Sequence, residues 1–169
     1  MKKAILSALI LLGGLMCLPI AALAADRFVD NNNGTVTDTR TGLIWLKYEN
    51  LGKEQTWNNA VPNCSSLASG QAFLTDGSSA GQWRLPSKEE LEGIGTDPPV
   101  TWESGFPPVT WTMPGAPFTN VQSYYYWSGT IYDGSTYPWF VSMLNGFVYG
   151  STEYHYYGYF DVWPVRDGN

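Results

Sequence analysis

Residues 82–91 read QWRLPSKEEL, and the reading of this stretch organises the chain on either side of it. Ser87 precedes Glu90 by three positions, the S-x-x-E form of a capping box, in which each side chain satisfies the other residue's free amide. A short helix therefore begins at Ser87, with Leu91 and Ile94 facing inward and Gly93 and Gly95 ending it early. Glu89 and Glu90 fall on its solvated side, the ordinary place for such carboxylates. Just before the helix, Trp83 and Leu85 enter the core and Pro86 positions the cap. Arg84 between them is read as a scaffold cation, paired with a carboxylate such as Asp161, in preference to a ligand clamp.

Upstream, Thr56 is placed to cap another helix, in which Trp57, Ala60, Cys64 and Leu67 recur at three- and four-residue steps along one apolar face. Pro62 should bend or shorten it. Earlier still, RFVDNNNGTVTDTRTGLIWLK (residues 27–47) holds a hairpin. Phe28 and Val29 lead into Asn31–Gly34, Asn33-Gly34 supplies the positive φ values, and Thr35–Thr37 lead out. A further strand runs from Leu43 to Leu46. Asp30, Asn32 and Asp38 also raise the question of a calcium loop, but Gly34 stands at the fifth position, where an EF-hand needs a ligand. The turn reading is preferred, and no metal is expected.

Downstream, residues 96–120 contain six prolines, which remove the amide donors a central strand requires. Trp102, Phe106, Trp111 and Phe118 should pin this irregular excursion to the body. Strand candidates then follow at Tyr125–Ser128, Trp139–Met143, Phe147–Tyr149 and Val162–Arg166, separated by Asp133-Gly134, Asn145-Gly146 and the glycines at 150 and 158. Strands, two helices, an irregular middle and more strands describe an α+β domain. In YYWSGT, Tyr126, Trp127 and Ser128 must point alternately to two faces, with Trp127 taken as the buried member. Trp127, Trp139, Val141, Val162 and Val165 are assigned to the core.

The first 24 residues fall outside that domain. Lys2 and Lys3 precede an apolar run from Ala4 to Ile20 that ends in Ala22-Leu23-Ala24, the pattern of a Sec signal peptide cleaved after Ala24. Gly13, Gly14 and Pro19 argue against a retained membrane span, and Met16 before Cys17 against a lipobox. Residues 25–169 then form a single domain, periplasmic or extracellular, which meets the membrane only during export. Loss of Lys2 and Lys3 takes the formal charge from −6 to −8, so nucleic acid and other polyanions are poor partners. Cys64 is left alone in an oxidising compartment, where it reads as a small buried hydrophobe and not as a reactive thiol.

Taken in order, RFVDNNNGTVTDTRTGLIWLK, Trp57 with Ala60 and Cys64, QWRLPSKEEL, YYWSGT, WFVSMLNGFVYG and VWPVR resemble a bacterial domain family: the one named for the C-terminal domain of the Legionella collagen-like adhesin. The resemblance covers nearly the whole chain after the leader. It implies a C-type-lectin-like fold, distantly similar to formylglycine-generating enzymes, with two short helices, a mixed or antiparallel sheet and long irregular loops. It also implies that Trp45, Trp57, Trp83, Arg84, Leu85, Pro86, Trp127, Trp139 and Arg166 form the shared scaffold. Many relatives carry a second cysteine in the closing strand; Trp163-Pro164 occupies that neighbourhood here. The cysteine pair of the formylglycine-generating enzymes and the calcium-ligand motifs of calcium-dependent lectins are missing as well.

Catalytic motifs are scarce. His155 is the sole histidine, and neither a nucleophile elbow nor HExxH or CxxC spacing occurs. No catalytic residue and no cofactor is therefore assigned. The aromatic distribution points elsewhere, since residues 121–169 hold ten of the eleven tyrosines but one Leu and one Ile. Tyrosine offers a rigid contact area with a hydroxyl that tolerates water, which suits recognition. Adjacent strand residues face opposite sides, so part of the 154–159 run must be exposed. The ligand-binding candidates are Tyr132, Tyr137, Tyr149, Tyr154, His155, Tyr156, Tyr157 and Tyr159. The expectation is an exported, non-catalytic recognition or adhesion domain that binds a carbohydrate or protein. The alternatives are a hydrolase or oxidase on the same scaffold, and a target protein of a diversity-generating retroelement, because Tyr, His, Asp, Ser, Phe and Gly are all reachable from Asn codons.

Overall fold

The computed structural model describes residues 26–48, 51, 54–95, 114, 115, 117–150 and 158–168. Among the described residues, seven strands and two helices follow in order: β1 (Phe28–Asp30), β2 (Thr35–Asp38), β3 (Ile44–Leu46), α1 (Trp57–Ser66), α2 (Lys88–Ile94), β4 (Tyr125–Ile131), β5 (Pro138–Ser142), β6 (Val148–Gly150) and β7 (Val165–Arg166). They make two antiparallel sheets, β1-β2-β3-β7 and β4-β5-β6, so the fold is α+β.

Register explains how the sheets share a core. In the first sheet Val36, Trp45 and Val165 lie side by side across β2, β3 and β7, and all three are buried. In the second sheet Tyr126, Val141 and Val148 form one cross-strand row, and Trp127, Phe140 and Tyr149 form the next. Neighbouring rows point to opposite faces. The Tyr126 row joins the larger cluster with Trp45, Trp83, Leu91 and Trp163, whereas Trp127 and Phe140 join a second cluster with Ala60, Cys64, Leu85 and Phe160. Both faces are therefore covered. Tyr126 is as fully buried as Trp127, in contrast to the expectation of one buried member, and Ser128 is buried too.

The same register moves Trp139 out of the core. It is half-buried on the face opposite Phe140, with Lys88 Nζ 5.3 Å above its ring, and Phe140 takes the interior position. Pro138 opens β5. With apolar residues on both faces, the alternation carries no polar contrast that sequence could have used.

Local signals behave as their chemistry dictates, with corrections at Thr56 and Asn33. The Ser87 capping box is present in both directions: the Ser87 Oγ accepts from the Glu90 N–H at 3.1 Å, and the Ser87 N–H donates to Glu90 Oε2 at 2.7 Å. The last carbonyls of α2 receive cations, with Arg27 donating to Gly93 at 2.7 Å and Arg40 also donating to Gly93, the favourable sign at a helix C-terminus. Thr56 stands at the cap of α1 but makes no side-chain cap bond, and Pro62 lies inside a ten-residue helix without ending it. In the hairpin, Asn32 and Gly34 take positive φ, not Asn33. Asp30 pairs with Lys47 at 2.7 Å and Asp38 with Arg27 at 2.8 Å, so each carboxylate answers a different scaffold cation. Of the proline-rich excursion, Phe118 is buried between Phe28 and Trp163 as expected; Trp102, Phe106 and Trp111 lie outside the described residues.

Arg84 has a different partner from the one expected. Its guanidinium binds Glu90 through two bonds of 2.7 and 2.9 Å and reaches Asp167 at 3.0 Å, while Asp161 is bridged through its backbone to Tyr126 in β4. The Arg84 backbone also exchanges both bonds with Val165. Arg166 is the second scaffold arginine. It pairs with Asp76 at 3.1 Å, and that Asp76 side chain is fully buried. Removing one partner of a buried pair strands the other charge and costs about 3–5 kcal/mol. Arg166→Ala should therefore lower stability to urea by about that amount. Arg166→Met combined with Asp76→Leu should recover most of the loss, and equal losses in the two variants would refute the pairing argument.

Candidate functional site

The candidate site grows from the Trp127–Phe140–Tyr149 row. Residues at positions i and i+2 of a strand share a face, so Tyr125 joins Trp127 on this side. Phe160 arrives from the closing segment, its backbone exchanging bonds of 2.8 and 3.0 Å with Gln55. Phe160 lies 4.4 Å from the Trp127 ring, 4.8 Å from Phe140 and 5.3 Å from Tyr125. Trp127 is locked in place by its Nε1–H, which donates to the Gln55 carbonyl at 2.7 Å, and Trp57 by its own indole N–H, which donates to the Ser128 carbonyl at 2.9 Å. Outward from this buried base the rings become accessible. Tyr149 stacks on Phe140 at 5.2 Å and 16° and is 38% exposed. Tyr124 stands edge-on to Phe160 at 6.1 Å and is 39% exposed. The arrangement is a fixed aromatic base with tyrosine hydroxyls at its rim.

The sheet divides the sequence candidates. Tyr149 belongs to this rim. Tyr132 instead packs edge-on against Trp139 at 4.9 Å, on the opposite face, and Tyr137 is half-buried beside it, accepting through its carbonyl from the Tyr132 N–H at 2.7 Å. Gly150 permits that second pair, since a Cβ there would come within 3.0 Å of the Tyr132 ring. Tyr159 is 61% exposed, one residue before the buried Phe160. Tyr154, His155, Tyr156 and Tyr157 lie outside the described residues. Tyr124 and Tyr125 were not among the sequence candidates. The adjacent tyrosines of YYYW carry the only sequence signal for them, and a strand accounts for that pattern equally well.

Residues 34–166 match the Lcl C-terminal domain family. The chain belongs to that family. No curated protein and no solved structure matches the chain. The Lcl C-terminal domain is an adhesin-associated module, in general keeping with a non-catalytic adhesion role.

Within this Lcl C-terminal domain the chemical groups near the aromatic base are muted by burial. Desolvation pushes the Cys64 thiol up to about 12, so it stays protonated at neutral pH. Desolvation also raises the phenols of Tyr124 and Tyr149. Asp161 lies beneath the rim with its backbone bonded to Tyr125 and Trp127 at 2.9 and 3.1 Å. Burial, helped by the negative charge of Glu54, lifts its carboxyl to about 6. Among the described residues no three His, Cys, Asp or Glu side chains gather where they would hold one metal ion.

The Asp161 shift has a definite consequence for stability. The folded protein keeps this proton up to about pH 6, whereas the unfolded chain releases it near the ordinary value of 3.8. The folded state therefore binds more protons between those values, and this group's contribution falls as pH rises through them. Asp161→Asn removes the penalty. The variant should be more stable than the native protein at pH 8 by about 1–3 kcal/mol, with the difference shrinking towards zero at pH 4. Urea unfolding of both proteins at the two pH values checks this, and a difference independent of pH would contradict it.

Proposed function

We propose that this chain is an exported, non-catalytic recognition or adhesion domain that binds a carbohydrate or protein through the aromatic surface of its C-terminal half. The observation that carries the reading is the graded array running from buried Trp127 and Phe140 to exposed Tyr149 and Tyr124. Binding surfaces gain from anchors that lose little conformational freedom, and rings already held by Phe140 and Phe160 meet that requirement. Tyr159 stands beside the same base, and the run from Tyr154 to Tyr157 precedes it directly in sequence. Family membership supports adhesion over turnover, and the leader supports a periplasmic or extracellular address.

Purified protein on glycan and surface-protein arrays tests the proposal. A bound ligand should lose about tenfold or more in affinity, ~1.4 kcal/mol, in Tyr149→Ala and Tyr124→Ala, as expected for ring contacts at the centre of an interface. Tyr132→Ala, on the other face of the sheet, should leave that affinity unchanged. Equal binding by all three variants would place recognition elsewhere, and turnover of a bound glycan would replace the adhesion reading with an enzymatic one.

A further inference from the structure

A second, separate feature lies where the loop after α1 meets the N-terminal hairpin. Gly34 in the hairpin turn packs so closely on this loop that a Cβ there would come within 2.5 Å of the Phe73 carbonyl oxygen. The Thr75 N–H donates to the Asn33 carbonyl at 2.9 Å, and the Leu74 N–H to the Gln71 carbonyl at 2.7 Å. Leu74 is thereby seated in the core. Ala72 and Phe73 reach it with φ of +45° and +62°, a left-handed conformation that side-chain-bearing residues rarely adopt. The geometry turns Phe73 outward, 75% exposed, with its ring 4.6 Å from that of Tyr48 and inclined at 41°. Tyr48 is the one tyrosine before Val121.

The two rings form a wall of a cleft of about 490 Å³, a size typical of small-ligand sites, which Leu51, Asn63, Ser66 and Gln71 also line. Among the described residues, none that lines it is charged. The polar atoms are already partly committed, and this fixes what they can offer. Gln71 Oε1 accepts from the Ala68 N–H at 3.0 Å, which leaves the Gln71 amide N–H groups as donors. Asn63 Nδ2 donates to Gln55 Oε1, which leaves Asn63 Oδ1 as an acceptor. Ser66 Oγ donates to the Asn63 carbonyl at 3.1 Å and keeps its lone pairs.

We propose that the Tyr48–Phe73 cleft is a binding site for a neutral saccharide unit. The ring wall matches the apolar C–H face of a pyranose, and a donor amide together with two acceptors matches hydroxyl groups, each of which both donates and accepts. The described lining offers no cation, which favours this class over phosphate, sulfate or carboxylate ligands, since these require cations or oriented N–H groups. The close approach at Gly34 fixes the backbone that carries Phe73 before any ligand arrives, which lowers the cost of ordering the site. The site is distinct from the C-terminal aromatic surface and stands independently of the function proposed for that surface.

Calorimetric titration of the purified protein with cellohexaose, chitohexaose, xylohexaose and mannohexaose, with a heparin hexasaccharide as the charged comparison, tests the inference. At least one neutral hexasaccharide should bind equally at low and high salt, and Phe73→Ala and Gln71→Ala should each weaken it by about tenfold or more. The losses from Phe73→Ala and Gln71→Ala should persist when each is combined with Tyr149→Ala, which separates this site from the aromatic surface. Phe73 is exposed, so its truncation should preserve the fold; if it does not, Gln71→Ala decides. Absence of binding to every neutral hexasaccharide, binding undiminished in the Phe73 and Gln71 variants, or losses from these two that vanish when combined with Tyr149→Ala would overturn the proposal.

Discussion

The closing segment, Phe160–Arg166, is the constraint on which the rest of the structure depends. Within seven residues it exchanges backbone bonds with Gln55 ahead of α1, with Tyr125 and Trp127 in β4, with Leu46 in β3 and with Arg84 ahead of α2. Two sheets that share no strand are thereby tied to one another and to both helices. Trp163 sits at the crossing, its indole N–H donating to the Leu46 carbonyl at 2.9 Å and its ring meeting Trp45, Phe118 and Tyr126 at 4.9 to 5.9 Å. Such edge-on or inclined aromatic pairs contribute about 0.5–1.5 kcal/mol each beyond the burial of their surface. The segment closes late in the chain, so its contacts span long sequence separations and require most of the molecule to be in place.

This constraint also explains where binding surface is available. Phe160 and Asp161 bury one end of the C-terminal aromatic run, which fixes Trp127 and Phe140 as base and leaves Tyr124, Tyr149 and Tyr159 at the edge. Rings held from behind in this way can contact a ligand without first being ordered. The N-terminal hairpin acts similarly on a smaller scale, using the close approach at Gly34 to hold Phe73 above its cleft. In both places a tightly packed backbone supports an exposed ring.

Much of this was legible in sequence where the controlling interaction is local. The capping box at Ser87 and Glu90, the existence of the hairpin, the apolar face of α1 with buried Cys64, and the α+β order follow from neighbours a few residues apart. The partner of Arg84 was not legible, because Glu90 serves both the cap and the guanidinium, and Asp167 comes near only through β7 pairing. Trp139 was misplaced by one residue because β5 is covered on both faces, so alternation gives no phase. The division of Tyr132 from Tyr149 needs the same register. Phe73 gave no signal at all, since a lone phenylalanine between two loops reads as core, and only the Gly34 contact shows why it faces out.

Amide hydrogen exchange on the intact protein tests the central claim, that the closing segment makes the two sheets one cooperative unit. The account predicts that the N–H groups of Trp127, Asp161, Leu46, Val165 and Arg84, which bond to or from this segment, exchange only through global unfolding and share one free energy and one denaturant dependence. Exchange of the Trp127 and Asp161 amides at distinctly lower free energy than those of Leu46 and Val165 would show that the sheets open separately, and would contradict it.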